Sequence, residues 1–247
     1  MIYIRIGIFD SGIGGITVLK ELLNKYPNNE YIYYGDIKNL PYGEKTKEEL
    51  LKLGKNIIEF LEKENVELII IACGTCSSLV DEYRRMTKIP IIDVITPTVE
   101  YVKNNYKKVG LIATNSTITN GTFKRKLQDN GNMMVDVSCP SFVPYIEKIE
   151  EYLNIEELSL LKEQSLDIVI LGCTHYPLIK EKIEEYLNIK TINMGKCLVN
   201  KINLKSGIKS KITIYLSKEK ENSKKMIEEI LERKIDIINL EEKRENN

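Results

Sequence analysis

Two strand-like segments of this 247-residue chain occur twice, in the same order and about one hundred positions apart. The first is the apolar run 5–9 followed by Asp10-Ser11, and its counterpart is 108–114. The second ends in Cys73-Gly74-Thr75, and its counterpart ends in Cys173-Thr174. Self-similarity at a fixed separation indicates repeated structural units. The chain is therefore expected to fold as two similar halves.

Strand and helix patterns alternate along both halves. Short runs rich in isoleucine and valine predict strands near 4–9, 30–35, 67–72, 89–93, 108–113, 133–137, 166–172, 189–193, 211–216 and 235–239. Apolar residues at three- and four-residue spacing predict helices over 17–23, 48–63, 117–130 and 219–233. This alternation predicts an α/β fold, here two pseudo-symmetric domains with parallel sheets.

The two domains are expected to divide near the stretch 101–106, where asparagine and lysine follow a helical pattern. The first domain is predicted to comprise residues 1–96 and 208–247, since the last two strands return to it, and the second residues 97–207. The stretch 241–247 is predicted to be a solvated tail. Ligands of parallel α/β sheets bind beyond the carboxyl ends of strands, so an active site is expected in the cleft between the domains.

Charge and composition exclude several classes of partner. The chain has 36 Lys+Arg and 36 Asp+Glu, and this balance argues against a nucleic acid or an anionic membrane surface. Its longest apolar runs are far below the roughly 18 residues of a membrane-spanning helix, and no export signal precedes the first strand. We therefore expect a cytoplasmic protein that acts on a small molecule and whose five cysteines are thiols.

Cys73 and Cys173 are the candidate catalytic groups, because the repeat places them at equivalent strand ends, each expected to precede a helix. Two thiols on opposite walls of a cleft can invert a carbon centre: one removes a proton and the other returns it on the opposite face. His175, the only histidine, can assist this proton movement. Asp10 either orients a substrate amine or caps the following helix. The glycines at 12–15 do not match a dinucleotide-binding pattern.

Six motifs of the chain occur together and in order. They are Phe9-Asp10-Ser11-Gly12-x-Gly14-Gly15, Gly35-Asp36 leading to Pro41-Tyr42-Gly43, Ala72-Cys73-x-Thr75, Gly110-Leu111-Ile112-Ala113-Thr114, Cys139-Pro140-x-Phe142-Val143-Pro144 and Leu171-Gly172-Cys173-Thr174-His175-Tyr176-Pro177. By these motifs the chain resembles the glutamate racemases of the cofactor-independent aspartate/glutamate racemase superfamily.

The resemblance implies interconversion of L- and D-glutamate for peptidoglycan synthesis, by a homodimer that needs neither pyridoxal phosphate nor a metal. By position, Cys73 would handle the α-proton of D-glutamate and Cys173 that of L-glutamate, with Asp10, His175 and Glu147 in support. The positions that match substrate-contacting residues of the family are Asp10, Ser11, Tyr42, Gly43, Gly74, Thr75, Thr114, Thr117, Thr174 and His175.

Two residues beside Cys73 depart from the family pattern. Gly74 stands where the family usually has asparagine, and Cys76 where it usually has alanine. The Cys73/Cys76 spacing is also that of a thiol–disulfide oxidoreductase, and with Cys173 and His175 the two thiols have the composition of a zinc site. A racemase of aspartate or another acidic amino acid, and a catalytically impaired racemase-like protein, are the further alternatives.

Overall fold

The computed structural model describes residues 5–205 and 210–245. Within these ranges the chain forms ten strands. They are β1 (Arg5–Asp10), β2 (Glu30–Gly35), β3 (Leu68–Ile71), β4 (Ile91–Asp93), β5 (Lys108–Ala113), β6 (Met133–Ser138), β7 (Ile168–Leu171), β8 (Thr191–Asn193), β9 (Lys211–Leu216) and β10 (Ile237–Asn239). Each lies where the isoleucine- and valine-rich runs predict a strand.

Thirteen α-helices lie in the same described ranges. They are α1 (Ile16–Lys25), α2 (Lys47–Lys63), α3 (Gly74–Ser77), α4 (Val80–Arg84), α5 (Ile95–Asn105), α6 (Asn115–Asn120), α7 (Thr122–Gln128), α8 (Phe142–Ile146), α9 (Ser159–Lys162), α10 (Lys180–Leu187), α11 (Met194–Lys201), α12 (Ser223–Leu231) and α13 (Leu240–Glu245). Short 3-10 turns cover Ile37–Asn39, Tyr42–Glu44, Ile155–Leu158 and Tyr176–Ile179. In the described part of the chain, none of the helices has the length and apolar character needed to cross a bilayer.

The strands form two parallel sheets, which confirms the predicted fold class. The first has six strands in the order β10-β9-β2-β1-β3-β4, and the second has four in the order β6-β5-β7-β8. The repeated segments occupy equivalent places, because β1 pairs with β3 as β5 pairs with β7. The loops that follow these four strands therefore lie at the carboxyl edges of the two sheets.

Two predicted segments differ from the structure. The helix predicted over 117–130 is divided into α6 and α7 at Gly121, whose φ of 68° is left-handed and ends α6. Residues 241–245 of the predicted solvated tail are helical, as part of α13, and Glu241 forms an ion pair of 2.8 Å with Lys38. Residues 246–247, and residues 208–209 of the predicted first domain, lie outside the described ranges.

Helices from both halves share one hydrophobic core between the sheets. The buried Leu19 of α1, Val99 of α5 and Leu198 of α11 belong to a single apolar cluster. Tyr26, which follows α1, adds a hydrogen bond of 2.6 Å from its hydroxyl to the Ile202 carbonyl after α11. This shared core fixes how the two carboxyl edges face each other, and so positions the site.

Candidate active site

A cavity of about 80 Å³ lies where the two carboxyl edges meet, and both halves line it. The predicted site residues that line it are Ser11, Tyr42, Gly43, Cys73, Gly74, Thr75, Thr114, Cys173, Thr174 and His175. A larger groove of about 960 Å³ has charged residues such as Lys20 and Glu229 in its lining. Neither of the repeated cysteines lines this groove, so cavity size alone does not identify the active site.

The other three predicted residues lie one contact away from the cavity. Asp10 accepts a hydrogen bond of 3.3 Å from the Thr174 hydroxyl, Thr117 contacts Thr114, and Glu147 contacts His175. The structure thus brings all the predicted site residues together. Their separate functional roles stay predictions.

Cys73 lies at the N-terminus of α3, where its Sγ atom accepts a hydrogen bond of 3.5 Å from the Cys76 N–H. The pKa of the Cys73 thiol is lowered, first because the Cys76 side chain donates a hydrogen bond to it and also because the Ser11 hydroxyl contacts it. Burial and the nearby Asp10 carboxylate act in the opposite direction without outweighing these donors. Cys73 is therefore suited to carry negative charge.

Cys76 has the opposite character, although it is only three residues away. It is fully buried, and burial together with the neighbouring Cys73 raises the pKa of its thiol well above the ordinary value. Cys76 thus stays protonated and donates to Cys73. Sequence reasoning considered Cys76 only as a redox or metal partner and missed this donor role.

Cys173 contacts a buried chain of two further groups. Its Sγ atom lies 3.7 Å from Nδ1 of His175, and Nε2 of His175 lies 3.0 Å from Oε1 of Glu147. The expectation that a helix directly follows each cysteine is met at Cys73, whereas after Cys173 the 3-10 turn begins only at Tyr176. The intervening residues Thr174 and His175 face the site instead.

The imidazole of His175 is 1% exposed. Burial alone lowers its pKa, but hydrogen bonds and charge interactions with Cys173 and Glu147 outweigh burial and raise the pKa well above 6.5. An imidazolium donates one N–H to each of these partners. The His175 ring fits here because residue 14 is a glycine: a Cβ atom on Gly14 would lie 2.4 Å from Nδ1 of His175.

We expect the His175 side chain to remain protonated at pH 7 and to lose its proton only well above pH 6.5. Nitrogen-15 NMR of histidine-labelled protein measures this directly, because the chain contains one histidine. The urea-unfolded chain is the control and should titrate near pH 6.5. Because the folded pKa is raised, His175 stabilises the fold fully below pH ~6.5, and this contribution is lost as the pH rises through the folded pKa. Titration of the folded protein at or below 6.5 would contradict the assigned contacts.

Asp10 joins the loops of the two halves. Its Oδ2 atom accepts hydrogen bonds from the N–H groups of Gly12 (3.2 Å) and Gly15 (2.9 Å), and its Oδ1 atom accepts the one from Thr174. Asp10 is not the N-cap of α1, because Gly15 occupies that position and α1 has no side-chain cap; the carboxylate instead holds the glycine loop before the helix. The same carboxylate also ties the loop before α1 to the loop that carries Cys173.

Three threonine hydroxyls form a triangle across the cleft. Thr75 Oγ1 lies 2.9 Å from Thr114 Oγ1, which lies 3.0 Å from Thr117 Oγ1, and Thr117 donates to Thr75 at 3.4 Å. Thr75 belongs to the first half and the other two to the second. These hydroxyls satisfy one another and can turn toward a carboxylate that enters the cavity.

Tyr42 also lines the cavity, but its hydroxyl is already engaged. It donates a hydrogen bond of 2.5 Å to Oδ2 of Asp36, a carboxylate that also accepts from Asn39. Asp36 thus fixes the loop that carries Tyr42 and Gly43. From the sequence, Asp36 indicated only a turn.

Gly74 is required by a close approach between the halves. A Cβ atom at this position would lie 2.3 Å from the backbone oxygen of Gly172. The asparagine that is usual in the family therefore does not fit in this arrangement of the loops. The missing side chain is replaced by direct contact with the loop that carries Cys173.

We expect Gly74→Ala to lower kcat/KM for the reaction of this site by about 10²-fold, because the added methyl group must push Gly172 and the adjacent Cys173 away from Cys73. Steady-state kinetics checks this, together with the melting temperature to confirm that the variant folds. An unchanged kcat/KM would show that the spacing of the two loops does not matter.

The zinc alternative has no geometric support. Across residues 5–205 and 210–245, no three histidine, cysteine, aspartate or glutamate side chains lie together in a way that could hold a metal ion. Cys73, Cys76, Cys173 and His175 are therefore not grouped as metal ligands.

Comparison with known proteins places the chain in a family. The sequence model of the Asp/Glu/Hydantoin racemase family matches residues 17–202. Glutamate racemase of Thermoanaerobacter sp. is 35% identical, with 94% of this chain and 95% of that protein covered. Glutamate racemase of Fusobacterium nucleatum is 43% identical, with 71% and 70% covered.

A solved structure agrees with these sequence relatives. Glutamate racemase of Francisella tularensis, crystallised with D-glutamate, superposes with a TM-score of 0.85 at 32% identity, with 94% of this chain and 95% of that chain covered. This chain combines two parallel-sheet halves with a cysteine after each of the equivalent strands β3 and β7. The chain belongs to the Asp/Glu/hydantoin racemase family.

Proposed function

We propose that this chain interconverts L- and D-glutamate by moving the α-proton between two thiols. The observation that carries the proposal is the position of Cys73 and Cys173, which follow the equivalent strands β3 and β7 and line one cavity from its two halves. The sequence relatives and the Francisella structure, all glutamate racemases by name, support glutamate as the substrate.

The reaction from L-glutamate begins at Cys173. Its thiolate takes the α-proton, so that the Cα–H bond breaks and an S–H bond forms. The Cys73 thiol then gives its proton to the opposite face of Cα, which yields D-glutamate, a Cys73 thiolate and a Cys173 thiol. The reaction from D-glutamate is the reverse, so the two groups exchange the roles of acid and base.

Each thiol has its own support. His175 and Glu147 form a charged chain behind Cys173, and the His175 imidazolium stabilises the Cys173 thiolate. Cys76 and Ser11 donate hydrogen bonds to Cys73, and Asp10 orders the loop that carries Ser11. The two half-sites therefore support their thiols with different residues.

The cavity offers neutral donors to a dicarboxylate. Its lining contains the hydroxyls of Ser11, Thr75 and Thr114, and the described residues that line it include neither lysine nor arginine. We assign the threonine triangle, with the adjacent Gly43, to one carboxylate of glutamate and the Ser11 region to the other. Hydrogen bonds from hydroxyl and N–H groups to a carboxylate are charge-assisted and can hold it without a lysine.

Chiral chromatography of the purified protein with L-glutamate, in reductant and without added cofactor, tests the proposal. We expect D-glutamate to accumulate toward a racemic mixture, and L-aspartate, the comparison substrate, to react far more slowly. Turnover of aspartate alone would move the specificity to the shorter acid. Absence of D-glutamate would overturn the proposal, and a reversible Cys73–Cys76 disulfide would then favour the oxidoreductase alternative.

The organisation and setting of the enzyme are also proposals. Residues 1–96 with 208–247 form one domain and 97–207 the other, which the separate sheets of β1–β4 with β9–β10 and of β5–β8 support. The family resemblance supports a cytoplasmic homodimer that supplies D-glutamate for peptidoglycan. Light scattering after size-exclusion chromatography tests the dimer, and a monomeric mass would exclude it.

A further inference from the structure

We propose that Lys220 is a positioning residue of the active site, which holds the Glu147 carboxylate against His175 from the opposite half of the molecule. The inference rests on the proposed racemase function, and it concerns a residue that neither the repeat nor the motifs of the sequence indicate.

Four side chains form a continuous series that ends at a catalytic thiol. The Lys220 Nζ atom lies 3.5 Å from Oε2 of Glu147, whose Oε1 atom lies 3.0 Å from Nε2 of His175. The Nδ1 atom of His175 then lies 3.7 Å from the sulfur of Cys173. Each carboxylate oxygen thus has its own cationic partner, and Lys220 reaches Cys173 only through Glu147 and His175.

The contact between Lys220 and Glu147 crosses the two halves. Lys220 lies between β9, a strand of the six-stranded sheet, and α12. Its backbone is fixed by a turn in which the Lys220 N–H donates to Ser223 Oγ at 3.3 Å and the Ser223 N–H donates to the Lys220 carbonyl at 3.0 Å. Glu147 follows α8 in the half that carries the four-stranded sheet. Lys220 therefore approaches the site from an ordered position.

Glu147 needs such a partner because its side chain is only 5% exposed. A buried carboxylate is costly unless it is paired on both sides. On its remaining side, Glu147 packs against the backbone of Gly12, where a Cβ atom would lie 3.0 Å from Oε1. The titratable groups around Glu147 are His175, Lys220 and, with its hydroxyl already donated to the Gly12 carbonyl, Tyr33.

The positive charges of His175 and Lys220 determine how the loss of Lys220 changes the pKa of Glu147. Burial raises the pKa of Glu147, but His175 and Lys220 outweigh burial and hold the pKa below its ordinary value. Without Lys220 the pKa of Glu147 rises, so protonation reaches it at a higher pH. A neutral Glu147 no longer balances the positive charge of the His175 imidazolium, which then faces Cys173 without its carboxylate partner.

Lys220→Met and Lys220→Arg test this, with Lys218→Met as the matched control because Lys218 is an exposed lysine of the same connection. In the logarithmic pH profile of kcat/KM for glutamate, protonation of the attacking thiolate gives the first fall on the acid side, and protonation of Glu147 gives a second, steeper limb at lower pH. We expect Lys220→Met to move this second limb up by about 0.5 pH unit or more and to keep the plateau. Lys220→Arg should restore the wild-type limb, and Lys218→Met should leave it unchanged. A lower plateau with an unmoved limb, or a profile identical to wild type, would overturn the role.

Thermal unfolding separates this inference from the proposed function, since it needs no turnover. A carboxylate with a lowered folded pKa contributes stability above its unfolded pKa of about 4.3, which is lost as the pH falls through the folded value. The melting temperature of Lys220→Met should therefore lie below that of wild type at pH 7 and converge with it in acid. A difference that is constant with pH would contradict the inference, whereas inactivity of the wild-type enzyme would contradict only the proposed function.

Discussion

Replacing either Cys73 or Cys173 by alanine abolishes racemisation in both directions, with a loss of activity on the order of 10⁴-fold or more. Each variant keeps one thiol and so can act on only one face of the α-carbon. Because inversion needs a proton removed on one face and delivered on the other, one remaining thiol cannot complete a turnover. Chiral chromatography with each enantiomer as substrate measures the loss.

Cys197→Ala is the matched control for these variants. Cys197 is 7% exposed, as is Cys173, but it lies on α11, and burial raises the pKa of its thiol to about 11. We expect this variant to keep wild-type activity. Racemisation at the wild-type rate by Cys73→Ala or Cys173→Ala would rule out the two-thiol reaction.

The two alanine variants should also differ from each other in proton exchange. With Cys73 removed, Cys173 can still take the α-proton of L-glutamate and return a solvent deuteron to the same face. Cys173→Ala should in turn exchange only D-glutamate. Proton NMR of each enantiomer in deuterium oxide distinguishes these outcomes, and exchange of the opposite enantiomer would reverse the assigned roles.

His175→Gln is expected to lower kcat/KM by about 10²-fold. Glutamine keeps a polar group next to Glu147 but cannot carry the positive charge that faces the Cys173 sulfur. The Cys173 thiolate then loses its nearest cationic partner in the buried site. Kinetics from both enantiomers measures the effect, and activity within a factor of about two would contradict the role of the imidazolium.

A double-mutant cycle with Glu147→Gln checks that His175 and Glu147 act as one unit. Residues in one hydrogen-bonded network show strongly non-additive effects. We expect Glu147→Gln to lower kcat/KM less than His175→Gln, and the double variant to be no slower than His175→Gln alone. Fully additive losses would show that the two residues act independently.

Much of the fold was predictable because several of its strands, such as β3 and β7, are buried on both faces. A strand such as β3, with the sequence Leu68–Ile71, reads as an uninterrupted apolar run, and helices separate such runs in regular order. The repeat matched β1 with β5 and β3 with β7, and so predicted two sheets with the same central strand pairing. The break between α6 and α7 escaped prediction, because a glycine within a helical pattern indicates a break only when the chain turns left-handed there.

The site was predictable where its residues lie in strand-end motifs. Cys73, Cys173 and His175 belong to the repeat or directly follow it, so position alone indicated them. Gly74 was visible only as a missing side chain, because its contact with the Gly172 oxygen depends on the distance between the two halves. Lys220 carried no signal, since the turn before α12 has no motif and its partner Glu147 is remote in the sequence.

The most direct test of two thiols on opposite faces is the fate of the α-proton in the wild-type enzyme. L-glutamate is incubated in deuterium oxide, and both enantiomers are separated at low conversion for mass spectrometry. We expect the D-glutamate formed to carry deuterium at the α-carbon while the recovered L-glutamate keeps its protium, because different groups remove and deliver the proton. Recovered L-glutamate that gains deuterium as fast as D-glutamate forms would indicate one base serving both faces and would contradict the two-thiol reaction.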